Sequence, residues 1–387
     1  MNVLYDHQIF TMQKYGGVSR YFTEIISHIR ENVKIDIAIK YSNNAYLTNL
    51  KLKPEIEKLV NPYEKFLPNI NFRGKRKLFN LLSRLKSYKS TDPNIFNKNL
   101  SIEQLKSQDF DIFHPTYYDN YFLEHIGHKP FVLTIYDMIH ELYPEMINDP
   151  ELCQRKAILA KKASHIIAIS DQTKKDIIEI LGIPENKISV IYLANSIQEN
   201  FIKLELPKNY LLFVGERGFY KNFLFFASSI APLLKKDSTL MIICTGRNFN
   251  QTELNYLSRE NIQNRFLYKE SNDRELFQLY KNAKAFIFPS HYEGFGLPIL
   301  EAFKAGCPMI LSNSSCFREI AGDAATYFSP TNSNELITAV ETMLQKNDFR
   351  NILVQKGYER EKYFSWEKSA KETAELYRKV IEEFNNS

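Results

Sequence analysis

Apolar residues along this chain fall into short runs, each closed by a polar or glycine-containing segment. Met1–Tyr5 (MNVLY), Phe110–Phe113, Phe131–Tyr136 (FVLTIY), Ser164–Ile169 (SHIIAI), Ile188–Leu193 (ISVIYL), Tyr210–Val214 (YLLFV), Leu240–Thr245, Phe266–Tyr268, Phe286–Phe288 and Met309–Leu311 read as strands buried in parallel sheets. Val33–Tyr41 (VKIDIAIKY) alternates cleanly and predicts a further strand. Stretches with helical spacing lie between these runs, as at Tyr21, Phe22, Ile25, Ile26 and Ile29. Such alternation predicts an α/β protein with doubly wound parallel sheets. A polar, irregular segment at about 195–209 reads as a linker. It divides the chain into a first domain, 1–200, and a second, 205–365, with a terminal helix at 366–387. Residues from about 42 to 108 are rich in lysine and asparagine and, apart from one basic segment at 73–89, show poor periodicity; an acceptor site would be built there.

The densest chemistry lies in FIFPS-HYEGFGLP-ILEAFKAG-CPMILSN, Phe286 to Asn313. A strand ends at Pro289-Ser290, a loop runs to Leu297, and Pro298 opens a helix, where its missing N–H costs nothing. Gly306 supplies the left-handed stop. This is a βαβ unit whose loop lies at the carboxyl end of its first strand, the place where open α/β sheets bind ligands. Glu293 and Glu301 frame it. Between them the amides of Gly294, Phe295, Gly296 and Leu297 sit at a helix N-terminus and offer an anion site. The spacing fits a phosphate cradle flanked by carboxylates that accept from sugar hydroxyls. It fits a solvated loop glutamate and a surface helix glutamate equally well.

Three other segments carry candidate chemistry. Gly16-Gly17 precedes the helix that begins near Tyr21, and such a pair permits close backbone approach or a plain tight turn. It is not the dinucleotide fingerprint, which gives an NAD reading little support. Asp137 and His140 follow the strand FVLTIY, and His114 follows Phe110–Phe113; strand ends of this kind collect chemistry. His114 alone reads as a hydrogen-bonded loop side chain. Gly215-Glu216-Arg217-Gly218-Phe219-Tyr220-Lys221-Asn222 places two cations between a strand and a helix, suited to a diphosphate.

Composition narrows the options. At 387 residues, with 44% hydrophobic and 25% charged content, the chain can build two cores and carries no apolar run of membrane-spanning length. Cys153, Cys244, Cys307 and Cys316 lack metal-ligand or disulfide-framework spacing, and Asp6 interrupts any signal-peptide pattern. The expected setting is therefore the cytoplasm, with a peripheral position at the inner face of the membrane. That last point comes from Arg73–Lys89, which holds seven basic residues and no acidic one and without which the formal net charge falls from +5 to −2. Leu78, Phe79, Leu81, Leu82 and Leu85 give the segment an apolar side. It reads either as a surface for anionic lipid or a negatively charged acceptor, or as an ordinary domain helix with a solvated basic face. No nucleic-acid-binding module accompanies it.

The Glu293–Glu301 motif around GFGLP resembles the E-x7-E motif of family 4 retaining glycosyltransferases. The resemblance is patchy over the first domain and nearly continuous over the second. It implies the GT-B fold, two Rossmann-like domains facing a central cleft, with the terminal helix returning to the first. It implies that Glu293 contacts the donor sugar, Glu301 the nucleotide ribose, and Gly294 to Leu297 the diphosphate. Arg217 and Lys221 match the family's cations that neutralise the leaving diphosphate, and Gly16, Gly17 and Arg20 match its glycine loop. TIYDMIHELYPE resembles the strand-end segment that carries Asp137 and His140, with one departure: many relatives have histidine immediately before the aspartate, where this chain has Tyr136. The implied reaction moves a hexose, mannose from GDP-mannose as first candidate, to a glycan or lipid-linked glycan, with no metal and no cofactor. The competing readings are a sugar-nucleotide epimerase on the same scaffold, a glycoside hydrolase using the two glutamates, and a non-catalytic sugar-nucleotide-binding protein.

Overall fold

A computed structural model describes residues 1–386 except 30–31, 48–49, 51–55, 58–65, 68–69, 71, 73 and 85–92. The chain forms two compact units. One comprises Met1–Thr134, Ile158–His165 and Ala370–Ser387, and the other Ile135–Ala157 and Ile166–Ser369.

The first strands are β1 (Asn2–Tyr5), β2 (Lys34–Ile37), β3 (Ile112–His114), β4 (Val132–Ile135), β5 (His165–Ala168) and β6 (Ile188–Val190). β1 lies at the centre of a sheet ordered β2-β1-β3, and β4-β5-β6 form a second sheet. Both neighbours of β1 are parallel to it, as is β6 to β5. A parallel bridge from Phe113 to Phe131 links the end of β3 to the start of the β4 segment. The apolar face of the Gly17–His28 helix supplies Tyr21, Phe22 and Ile25 to the core of the first unit.

Two features of the first unit differ from the hydrophobic pattern. β2 ends at Ile37, well before Tyr41, because the side chain of Asn97 takes over the backbone there. Its Oδ1 accepts from the N–H groups of Lys40 and Tyr41, and its Nδ2 donates to the Tyr41 carbonyl. Asn97 belongs to a helix, Pro93–Ser107, inside the stretch of poor periodicity. Its buried positions are Asn97, Ser101 and Leu105. The four-residue spacing is helical, but two of the three are polar, so a hydrophobic pattern cannot reveal it. Ser101 Oγ meets His7 Nδ1 at 2.9 Å and the Ala38 carbonyl at 3.2 Å, which satisfies the buried hydroxyl.

His114 is fully buried. Its Nδ1 lies 2.5 Å from the Tyr377 hydroxyl of the Trp366–Asn385 helix, and its Nε2 lies 2.9 Å from Thr134 Oγ1. Tyr377 also meets Tyr5 at 2.9 Å, so the end of the chain is tied to the ends of β1 and β3. Burial lowers the His114 pKa to about 3. The folded value lies below the ordinary one of about 6.5, so stability from the neutral ring is complete above pH 6.5 and declines as pH falls toward 3. Between pH 7 and pH 5 this group removes about 2 kcal/mol. Urea unfolding of the wild type at the two pH values should show that loss, and His114→Gln should remove most of it.

The second unit holds a six-stranded sheet built from β7 (Tyr210–Phe213), β8 (Met241–Cys244), β9 (Phe266–Tyr268), β10 (Ala285–Phe288), β11 (Met309–Ser312) and β12 (Thr326–Phe328). The order is β12-β11-β10-β7-β8-β9, and every recorded pairing is parallel. The chain winds outward from β7 through β8 to β9, then returns to β10 beside β7 and winds outward the other way. The β7–β10 pair is thus the topological switch point. Beneath it lies a dense core that includes Phe213, Phe223, Phe226, Ile230, Leu257, Ile287 and Val340.

Candidate functional site

The loops that follow β7 and β10 leave the carboxyl end of the sheet side by side. Lys221 closes a short 3-10 turn, Phe219–Lys221, and Glu293 follows β10 by five residues. Lys221 Nζ donates to Glu293 Oε1 at 2.6 Å, with 14% and 13% of the two side chains exposed. The ammonium lies 5.0 Å from the Tyr220 ring centroid and 5.3 Å from that of Phe288. Burial works against the charge on Lys221, but the Glu293 carboxylate and Tyr220 outweigh it and leave the lysine pKa raised. Lys221 is therefore a fixed cation across the neutral range.

Glu293 begins the loop that ends in the Leu297–Ala305 helix. Gly296 is the helix N-cap at φ +90°, and Gly306 stops the helix at φ +65°, both conformations that favour glycine. The cap residue has no side chain to close the helix end. Among the described residues, no acceptor engages the N–H groups of Gly294, Phe295, Gly296 or Leu297. Four unpaired amides at a helix N-terminus beside a lysine ammonium are groups that can receive an anion. Phe295 itself turns inward and is 3% exposed, so its backbone, not its ring, belongs to the site. Glu301 lies further along the helix and accepts from the Tyr280 hydroxyl at 3.0 Å.

Gly294 is glycine for a reason the loop's sequence does not disclose. A Cβ there would fall inside the van der Waals radius of the Tyr136 carbonyl oxygen and 3.1 Å from Asp137 Cβ. Its own carbonyl accepts from Ser170 Oγ at 2.6 Å and Thr173 Oγ1 at 3.2 Å. The segment after β4 is thereby packed on the glutamate loop, with the Tyr292 hydroxyl 3.4 Å from Met138 N and 2.6 Å from Asp176 Oδ2. Asp137 accepts from Ile139 N through Oδ1 at 3.1 Å, and its carbonyl accepts from buried Lys156 at 3.0 Å. The Tyr220 phenol pKa is raised, first by burial and further by the charges of Glu293 and Asp137, while Lys221 opposes the rise. Asp137, Tyr220, Lys221 and Glu293 therefore share one electrostatic environment.

Other expected site residues are placed differently. Arg217, expected to face a diphosphate beside Lys221, is 3% exposed and turned into the protein. Its Nε donates to Glu253 Oε1 at 3.1 Å, and its other nitrogens bond the carbonyls of Thr245 (3.0 Å) and Arg247. Phe249 lies against it at 4.7 Å. Its buried carboxylate partner, 36 residues on, fixes this orientation, and a pocket of about 440 Å³ opens beside it. Arg247, on the loop after β8, is exposed and pairs with Glu216 at 3.2 Å. His140 sits on the short Ile139–Leu142 helix with its Nδ1 buried and unpaired, and it makes no hydrogen bond to Lys221, Glu293 or Glu301 among the described residues. Gly16 and Gly17 lie in the first unit, where the Gln13 side chain fills the space over Gly16 and caps the Gly17–His28 helix by accepting from Ser19 N at 3.1 Å. Among the described residues no cluster of three or more His, Cys, Asp or Glu is arranged to hold a metal ion.

The sequence pattern missed Ser290, Ser315, Cys316, Tyr220 and Tyr292. Ser290 and the Ser315-Cys316 pair follow β10 and β11, so the carboxyl-end rule that selected Glu293 would also have reached them.

Comparison with known proteins adds an independent line. The family described as Glycosyltransferase Family 4 matches residues 15–194, and that described as Glycosyl transferases group 1 matches 195–360. The chain is 28% identical over 233 residues to O-antigen chain mannosyltransferase B of Escherichia coli, covering 56% of this chain and 61% of that protein. It is 30% identical over 194 residues to O-antigen chain mannosyltransferase RfbU of Salmonella typhimurium, covering 49% and 53%. The chain thus spans between half and two thirds of the length of these relatives. Among solved structures, sucrose-phosphate synthase from Thermosynechococcus elongatus matches with TM-score 0.71 over 98% of both chains, and Anabaena Alr3699/HepE in complex with UDP-glucose matches with 0.70 over 98% and 100%. Both are 16% identical to this chain, a likeness of fold alone.

Proposed function

Since the chain belongs to the GT-B glycosyltransferases that join a Family 4 domain to a group 1 domain, we propose that it transfers a hexose from a nucleoside diphosphate sugar to a glycan or lipid-linked glycan with retention of anomeric configuration. Mannose is the first candidate sugar and GDP-mannose the first candidate donor, supported by the mannosyltransferase names of the E. coli and Salmonella relatives. One observation carries the reading: four unengaged amides at 294–297 beside the Lys221–Glu293 pair at the switch point. As the glycosidic bond breaks, negative charge grows on the departing diphosphate. Lys221 and the amides stabilise that charge more in the transition state than in the ground state. Glu293 accepts from the donor hexose and Glu301 from the ribose. Asp137 and His140 orient the reacting groups, and a donor phosphate oxygen takes the acceptor's proton. Incubation with GDP-mannose and N-acetylglucosaminyl-diphosphoundecaprenol, followed by NMR of the product, tests this. An axial mannoside is expected, whereas an epimerised sugar nucleotide without acceptor addition would contradict it.

A lipid-linked acceptor would be met at an anionic membrane surface, and the basic segment 73–89 is the contact proposed for it. Arg73 and residues 85–89 lie outside the described residues. The segment's centre is the Lys75–Arg84 helix, where Arg76, Lys77 and Leu78 are exposed. Ile70 and Phe72 just before it are 52% and 43% exposed. No helix among the described residues is long and apolar enough to cross a membrane. Each basic residue near such a surface contributes about 1 kcal/mol. The double variant Arg76→Glu, Lys77→Glu should therefore weaken sedimentation with phosphatidylglycerol vesicles by more than tenfold and leave binding to phosphatidylcholine vesicles unchanged.

A further inference from the structure

Among the described residues, every hydrogen bond of Glu293 falls on one carboxylate oxygen or on its backbone. Oε1 accepts from Lys221 Nζ at 2.6 Å and from Ser290 Oγ at 2.7 Å. Oε2 has no hydrogen bond among the described residues. Ser290 is itself fixed, because its carbonyl accepts from the buried Ser312 Oγ at 2.5 Å. The backbone of Glu293 is held by a closed circuit. Its N–H donates to Ser315 Oγ at 3.1 Å, and that hydroxyl donates to Cys316 Sγ at 3.9 Å. The thiol points back to the carbonyls of Glu293 at 3.2 Å and Phe295 at 3.1 Å. Ser315 reaches this position only at φ +43°, the left-handed region where a non-glycine residue is strained. Strain kept at one residue of a ligand loop indicates that its side chain is needed there.

From this geometry we infer that Ser290, Ser315 and Cys316 are positioning residues that lock Glu293 so that Oε2 alone is presented to a hydroxyl of the donor sugar. The inference rests on the donor-site reading above. With Oε1 doubly engaged the carboxylate cannot rotate, and with both backbone groups clamped it cannot recede. Cys316 is completely buried, and burial pushes its thiol pKa well up, which suits a neutral S–H donor and not a nucleophile.

Two substitutions separate positioning from folding. Ser290→Ala deletes one Oε1 donor with little change of shape. Ser315→Gly removes the hydroxyl while relieving the φ strain, so it should melt no lower than the wild type. Titration calorimetry of the full chain with GDP, GDP-mannose, UDP and UDP-glucose reads the affinity added by the sugar. Both variants should bind the nucleoside diphosphate like the wild type, and each should lose about tenfold of the sugar-dependent affinity, the effect of a hydrogen bond to a charged group. Glu293→Ala should lose all of it. Full sugar preference in Ser290→Ala and Ser315→Gly, together with its loss in Glu293→Ala, would overturn the positioning role and leave the donor-site reading intact. Full preference in Glu293→Ala would overturn both.

Discussion

Replacing Lys221 with alanine should lower kcat by about a thousandfold, the range seen when one pre-organised charge donor is removed from a transition state. The argument is positional. Lys221 is nearly buried, and its charge is held above the ordinary lysine pKa despite that burial. An ammonium in such surroundings stabilises a developing diphosphate charge far more strongly than a solvated one. The substitution also strips Glu293 Oε1 of one of its two donors, so the lysine and glutamate effects should not add. In a double-mutant cycle, Lys221→Ala combined with Glu293→Gln should cost much less than the sum of the single changes. Lys221→Arg should restore little, since a planar fork cannot replace a point charge held against two aromatic rings.

Arg217→Met should act chiefly on stability. Arg217 and Glu253 are 3% and 8% exposed, and the guanidinium also closes on two carbonyls of the loop after β8. Breaking a buried pair by removing one partner leaves an uncompensated charge and costs about 3 kcal/mol. Glu253 retains its second role, in which it accepts from Asn250 N at 2.9 Å in the capping box of the Gln251–Arg259 helix, so the helix should survive while the loop loosens. Thermal unfolding without ligand should show the loss. An unchanged melting temperature with a raised KM would place Arg217 on the diphosphate instead.

The contrast between these two cations marks how far the sequence could be read. Strand-to-glycine punctuation identified the 286–313 unit and the Gly306 stop. Those features are local, set by residues a few positions apart. Arg217 and Lys221 are indistinguishable at that level, four residues apart on one loop. What separates them is a partner 36 residues away for one and 72 for the other. Gly294 was legible as a glycine but not as the seat of the Tyr136 carbonyl, because that contact joins segments far apart in the chain. The Pro93–Ser107 helix stayed hidden for another reason: its buried face is asparagine and serine, whose burial is stabilised by hydrogen bonds that leave no hydrophobic period. His140, read as chemical from its place after a strand, has a buried and unpaired Nδ1, a feature only coordinates reveal.

The central claim is that the Lys221–Glu293 loop pair holds a nucleoside diphosphate sugar. Thermal shift of the wild type and Lys221→Ala against a panel of nucleotide sugars tests it most directly. At about a hundredfold excess over its dissociation constant the true donor stabilises the folded protein by roughly 2.7 kcal/mol. We expect one nucleotide sugar, GDP-mannose first, to raise the wild-type melting temperature and to lose that effect in Lys221→Ala. A wild type unmoved by every nucleotide sugar, or a shift of equal size in the variant, would contradict the account.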